Sequence, residues 1–158
     1  MEYKVTIYEK GKPRVRTLFI ERVPYKVFEI AQRLERMTQE TRQNVETMQA
    51  IEKESAELRE KRPDGWKDKI KENASEIKDL ADRIYAVEDA GFFKQRFEAI
   101  KIILSVNGIK EDDELMNEST WADKMDFADP MAFITSALQK DIDKKKLLTA
   151  VLRSTSGD

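Results

Sequence analysis

Two helical patterns mirror each other across Asp64, and they constrain the fold more than any other feature. From Val27 to Arg62, apolar or small residues recur at helical spacing: Val27, Ile30, Leu34, Met37, Thr41, Val45, Met48, Ile51 and Leu58. After Pro63-Asp64-Gly65 the pattern resumes with Trp66, Ile70, Ala74, Ile77, Leu80, Ile84 and Val87. Folding the chain at Asp64 brings Leu58 to Ile70, Ile51 to Ile77, Met48 to Leu80, Val45 to Ile84 and Thr41 to Val87. Facing residues in an antiparallel helical hairpin sit equal distances from the turn, so this arrangement predicts such a hairpin. A long hairpin offers surface to other proteins and encloses little.

The flanks are read by the same logic. Tyr3–Tyr8 alternates with period two, Glu9-Lys10-Gly11-Lys12-Pro13 carries turn residues, and Arg14–Ile20 alternates before becoming apolar. These predict a β-hairpin. A lone hairpin is marginal in water, so Leu18, Phe19 and Ile20 must pack on a helix or pair with another copy. Val23-Pro24 ends the strand, and proline suits the first turn of the next helix. Phe92, Phe93, Phe97, Ile100, Ile103 and Leu104 form one broad apolar face closed by Asn107-Gly108, a cap pair. Short turns are expected at Glu111–Met116 and Ser119–Trp121. Asp129-Pro130 predicts a helix start with Asp129 as cap, and Lys144–Leu152 one more helical segment. The fold class is therefore α+β, mainly helical: a β-hairpin over 1–24, a helical hairpin over 25–90, a possible insertion, and a helical part over 91–153. We expect one domain over 1–153 and a disordered tail over 154–158.

Composition narrows the chemistry. The 158 residues include neither cysteine nor histidine. Thiol catalysis, disulfides, Cys/His zinc sites and imidazole acid–base chemistry are thereby excluded. The glycines fall at turns, helix ends or the tail, and no pair of them forms a phosphate-cradling loop. The acidic run Glu111–Glu114 lacks the spacing and internal glycine of a calcium loop. The expectation is a protein that is not an enzyme and needs no cofactor or metal. No apolar run is long enough for a membrane span and no export signal is visible, so a cytoplasmic location is expected, with Asn73-Ala74-Ser75 and Asn117-Glu118-Ser119 matching the glycosylation tripeptide by chance. The methionines on apolar faces read as core, or as adaptable protein-binding positions where exposed.

Net charge is only −2, which gives no global attraction to nucleic acid or to a membrane surface. The charge is unevenly placed. Residues 1–26 hold Lys4, Lys10, Lys12, Arg14, Arg16, Arg22 and Lys26 against Glu2, Glu9 and Glu21, while residues 108–143 are strongly acidic. The candidate protein-binding residues are Lys12, Arg14, Arg16, Leu18 and Ile20 on the hairpin and Glu111, Asp112, Asp113 and Glu114 downstream. We expect copies to associate, with the basic residues near the acidic stretch of a neighbour, apolar contacts supplying the affinity and charges the orientation. The plain alternative buries Leu18, Phe19 and Ile20 within one chain.

The stretch Phe19-Ile20-Glu21-Arg22-Val23-Pro24-Tyr25-Lys26-Val27-Phe28-Glu29, preceded by the hairpin Tyr3–Ile7 and Gly11-Lys12, resembles the tail assembly chaperones of long-tailed bacteriophages. So does the aliphatic run ending in Asn-Gly, Ile103-Leu104-Ser105-Val106-Asn107-Gly108. The likeness covers residues 1–30 and 90–140; the helical middle is longer than the family's and reads as an insertion serving a partner. The resemblance implies a chaperone in the host cytoplasm that binds the tape-measure protein, promotes tail-tube assembly with the tail-tube protein, and is absent from the finished particle. The other readings are a coiled-coil adaptor or scaffolding protein, and a nucleic-acid-binding regulator using the basic hairpin. The acidic remainder of the chain favours no nucleic-acid and no membrane partner.

Overall fold

In a computed structural model, which describes residues 1–155, the initial alternation gives a two-stranded antiparallel sheet. Strand β1 (Glu2–Glu9) pairs with β2 (Lys12–Phe19) in the register Tyr3↔Leu18, Val5↔Arg16, Ile7↔Arg14. Gly11, at φ +76°, takes the left-handed conformation that the tight turn needs. Helices α1 (Tyr25–Lys61), α2 (Trp66–Asp89) and α3 (Phe92–Val106) follow. A single 3-10 turn (Glu114–Met116), the short α4 (Glu118–Asp123) and α5 (Asp129–Thr155) complete the chain. The fold is α+β and mainly helical. Among the described residues, no helix is long and apolar enough to cross a membrane.

The single domain expected over 1–153 divides into two compact units. The first joins residues 1–32 to 94 onward; the second is Arg33–Phe93. The division falls close to the ends of the helical middle that stood out in the sequence.

The first unit has a conventional apolar core. Val5 and Ile7 of β1 and Leu18 of β2 point inward, with Val27 and Ile30 of α1, Ile100, Ile103 and Leu104 of α3, and Phe133 and Ile134 of α5, all buried. Phe133 sits at its aromatic centre, with Tyr3 edge-on at 5.2 Å and Trp121 at 5.4 Å. The Trp121 indole N–H donates to the Leu115 carbonyl at 2.8 Å, so the buried ring leaves no polar atom stranded. The Asn107-Gly108 cap is a Schellman turn: Gly108 has φ +86°, and the Ile109 N–H donates to the Leu104 carbonyl at 3.1 Å.

The second unit is the helical hairpin. Buried or half-buried positions recur with alternating three- and four-residue spacing at Thr41, Asn44, Met48, Ile51, Ser55 and Leu58, and again at Ile70, Asn73, Ile77, Leu80, Ile84 and Val87. A hydrogen bond between the arms bears out the mirror about Asp64. The Asn73 amide Nδ2 donates to Ser55 Oγ at 3.0 Å, and these residues lie equally far from Asp64. Two expected stripe positions are corrected. Val45 is exposed and Asn44 holds the seam position; Ala74 is exposed and Asn73 is buried. The tip is closed by Arg62 at φ +45° and Gly65 at φ +77°, with the Arg62 guanidinium 5.5 Å from the Trp66 ring.

Three further expectations change. Asp129 lies inside the first turn of α5, and its carboxylate accepts from the Asp126 N–H at 3.1 Å, so it does not cap the helix. The segment Lys144–Leu152 is part of one continuous α5. Ser154 and Thr155 extend that helix and are not tail, while 156–158 lie outside the described residues.

Candidate interaction surface

Arg14 and Arg16 alternate along β2 and share the inward face with Leu18. Their forks extend to the 3-10 turn. Arg14 donates from Nη1 and Nη2 to the two Glu114 carboxylate oxygens, each at 2.7 Å. Arg16 grips Asp113 through Oδ1 at 2.6 Å and Oδ2 at 2.9 Å, and reaches Glu114 at 3.3 Å. Two parallel N–H···O bonds to one carboxylate form the geometry that a guanidinium fits best. Asp113 Oδ1 also accepts from the Leu115 N–H at 2.9 Å, so one carboxylate both caps the turn and holds the strand.

The electrostatics follow from this geometry. Hydrogen bonding from Arg16 holds the Asp113 carboxyl below the usual carboxylate range, and Arg14 does the same for Glu114. The two guanidiniums are correspondingly raised by Glu114 and by Asp113. All four groups stay ionised at neutral pH, an arrangement suited to holding a segment in place and not to moving protons.

A second clamp lies at the far end of β2. Asn107 Oδ1 accepts from the backbone N–H groups of Glu21 at 2.8 Å and Arg22 at 3.1 Å. Its Nδ2 donates to the carbonyls of Arg22 at 2.8 Å and Ile103 at 2.7 Å. Four bonds saturate the side chain and fasten the link between β2 and α1 to the end of α3. Sequence reasoning placed Asn107 at a helix end but did not foresee this role; a polar residue with both donor and acceptor just before a cap glycine is the available signal.

The candidate binding residues therefore separate. Leu18 and Ile20 are buried within the chain and are not available for docking, because they face the core opposite β1 and Met1. Arg14, Arg16, Asp113 and Glu114 bond to one another inside one chain, not between neighbours as expected. The Schellman turn after α3 reverses the chain and brings the acidic segment back to the strand. Lys12, Glu111 and Asp112 remain exposed.

Among the described residues, the first unit leaves apolar surface open in several places, including the outer face of the sheet and a groove beside α3. On the outer face of the sheet, Phe19 is 66% exposed and Val15 58% exposed. A groove is lined by Ile102 and Val106 of α3 and by Ile109 and Met116 beyond it, together with the charged Glu98, Lys101 and Glu111. Exposed apolar surface of this kind is chemically suited to protein partners. No family model, curated protein or solved structure matches the chain.

Proposed function

We propose that this chain is a non-enzymatic assembly chaperone of phage tail morphogenesis, acting in the host cytoplasm, which binds the tape-measure protein and delivers it to tail-tube subunits. The observation that supports the reading is how the chain divides. Of the two segments that carry the resemblance to tail assembly chaperones, residues 1–30 and 90–140, all but 90–93 fall within one compact unit, and the extra helical middle forms another. Asn107 of the Asn-Gly run bonds directly to Glu21 and Arg22 of the Val-Pro approach, so the resembling pieces touch. A tape measure is long and helical, with apolar faces that aggregate until the tube encloses them. The α3 groove, which combines the apolar Ile102, Val106, Ile109 and Met116 with the charged Glu98, Lys101 and Glu111, suits an amphipathic helix laid along it. Co-expression with the tape-measure protein tests this. Soluble, co-purifying complex is expected, weakened by Val106→Glu; a client that aggregates equally with and without the chain overturns it.

A second reading, a coiled-coil adaptor, is favoured by the regular three- and four-residue spacing of the hairpin seam. It predicts that residues 33–93 carry partner binding and that Val106→Glu has no effect on it. The nucleic-acid reading loses support, because Arg14 and Arg16 are already neutralised by carboxylates.

A further inference from the structure

The hydrogen bonding of the sheet shows which way each backbone group of β2 points. Ile20 N–H donates to the Met1 carbonyl at 2.8 Å, so Met1 and Ile20 form a hydrogen-bonded pair. Pairs alternate along an antiparallel ladder, which makes Tyr3↔Leu18, Val5↔Arg16 and Ile7↔Arg14 bonded and the pairs between them not. The other edge of β1 agrees, since the outward Tyr8 N–H donates to the Lys124 carbonyl at 2.8 Å. The backbone groups of Pro13, Val15, Thr17 and Phe19 must therefore point away from β1. Among the described residues no strand pairs with that side of β2. It is an open edge.

Open edges are ordinarily blunted by charge. This one is not. The outward-pointing positions Pro13, Val15, Thr17 and Phe19 carry none, and Arg14 and Arg16 are tied to Asp113 and Glu114 on the inward face. We propose that the β2 edge pairs with the β2 edge of a second copy, antiparallel about a two-fold axis at Thr17, giving a continuous four-stranded sheet. In that register the N–H groups of Val15, Thr17 and Phe19 of both copies all find carbonyls. Val15 of each copy lies opposite Phe19 of the other on the outer face, so two exposed apolar residues cover each other twice. The alternative register centred on Arg16 sets that arginine opposite itself. A second copy is therefore the occupant that this uncharged, self-complementary edge fits. The pairing is independent of any client and of the reading given above.

The test uses the full chain in sedimentation velocity over a wide concentration range. The expected result is a reversible monomer–dimer equilibrium. Thr17→Pro removes an outward donor without touching the bonds to β1 and is expected to abolish the dimer. Val15→Lys charges the edge and keeps the backbone, guarding against misfolding of the proline variant, and is expected to weaken dimerisation at least tenfold. Because the chain has no cysteine, Thr17→Cys places a single thiol at the axis. A short bismaleimide is expected to link it efficiently, and to leave Lys4→Cys, on the far edge of β1, unlinked. A monomer at every concentration overturns the proposal. So does a dimer indifferent to both Thr17→Pro and Val15→Lys, or equal linking at the two cysteine positions.

Discussion

Removing the Ser55 hydroxyl should open the helical hairpin, by an amount that can be worked from its geometry. Asn73 is 3% exposed and Ser55 6%, and the bond between them is 3.0 Å long. Ser55→Ala deletes one atom and leaves the apolar layers at Ile51 and Leu80 untouched. The Asn73 amide then faces a methyl group. A buried donor without a partner costs about 1–3 kcal/mol. The reverse change, Asn73→Ala, strands less, because the serine hydroxyl can turn to the carbonyl one helical turn back. Replacing both, as Ser55→Ala with Asn73→Leu, removes the polar layer altogether and should be near neutral or stabilising. Native-state hydrogen exchange of amides in α2 and the second half of α1 is the assay. With tenfold per 1.4 kcal/mol, Ser55→Ala should speed exchange there about five- to a hundredfold, and the double substitution should restore it. If exchange after Ser55→Ala is unchanged, or the double variant is as open as the single, the bond does not hold the hairpin.

Other outcomes follow from the two clamps and the seam. Asn107→Ala should lower stability by about 1–2 kcal/mol, read as a urea midpoint, because the link at Glu21 and Arg22 loses its fastening, although these exposed backbone groups can turn to water. Asn107→Asp should be worse at neutral pH, since a carboxylate would face the Arg22 and Ile103 carbonyls. Asp113 and Glu114 have folded-state pKa values below their ordinary 3.8 and 4.5, so their contribution is present above those values and is lost as pH falls through the lowered ones. Denaturation midpoints measured across that acid range should fall for the parent chain and fall less for Arg16→Gln. Ile51→Ala should cost about 2–4 kcal/mol in thermal unfolding, whereas Val45→Ala should stay within about 0.5 kcal/mol, because only Ile51 is on the seam.

The hairpin was legible because helix geometry writes itself into sequence spacing. Counting threes and fours from Met48 and Ile51 reaches Thr41 and Leu58, and the same count from Ile70 in the second arm reaches Ile77 and Leu80, all buried or half-buried. The misplacements at Val45 and Ala74 share one cause. In each case hydrophobicity favours the apolar residue over its polar neighbour, Asn44 or Asn73, although strict spacing selects the neighbour. Position on the seam is set by the helix repeat, and a polar residue there is retained when its partner is equally placed. Asn73 also fixes the register: a slip of one heptad would set its amide against Met48 or Arg62, neither of which offers a hydroxyl acceptor. The continuity of α5 was obscured by a run of charge between Lys140 and Lys146. On a helix surface such a run is self-supporting, as the Asp141–Lys145 pair at 2.9 Å illustrates.

The complementary ends of the chain were legible too, but not their partner. Opposite charges distant in sequence attract equally well within a chain or between two, and composition does not distinguish these. The turn at Gly108 does. Once α3 is capped and the chain reversed, Asp113 and Glu114 are held beside β2 by the same covalent chain, at an effective concentration that a second molecule in dilute solution does not match. The intrachain pairing wins, and in winning it draws Arg14 and Arg16 across the inward face of the strand. What remains along the outer edge is Val15, Thr17 and Phe19, uncharged and unpaired. The expected charge contact between copies and the proposed edge contact are thus linked by one cause. Strand alternation puts Arg14 and Arg16 on the inward face, and the carboxylates that fill the first role hold them there, away from the edge offered for the second. The same logic makes the linkage measurable. Asp113→Asn with Glu114→Gln frees both arginines while leaving Val15, Thr17 and Phe19 in place. If the tied-back charges are what leave the edge open, that double variant should dimerise more weakly than the parent chain, and raised salt should restore much of the loss by screening the arginines.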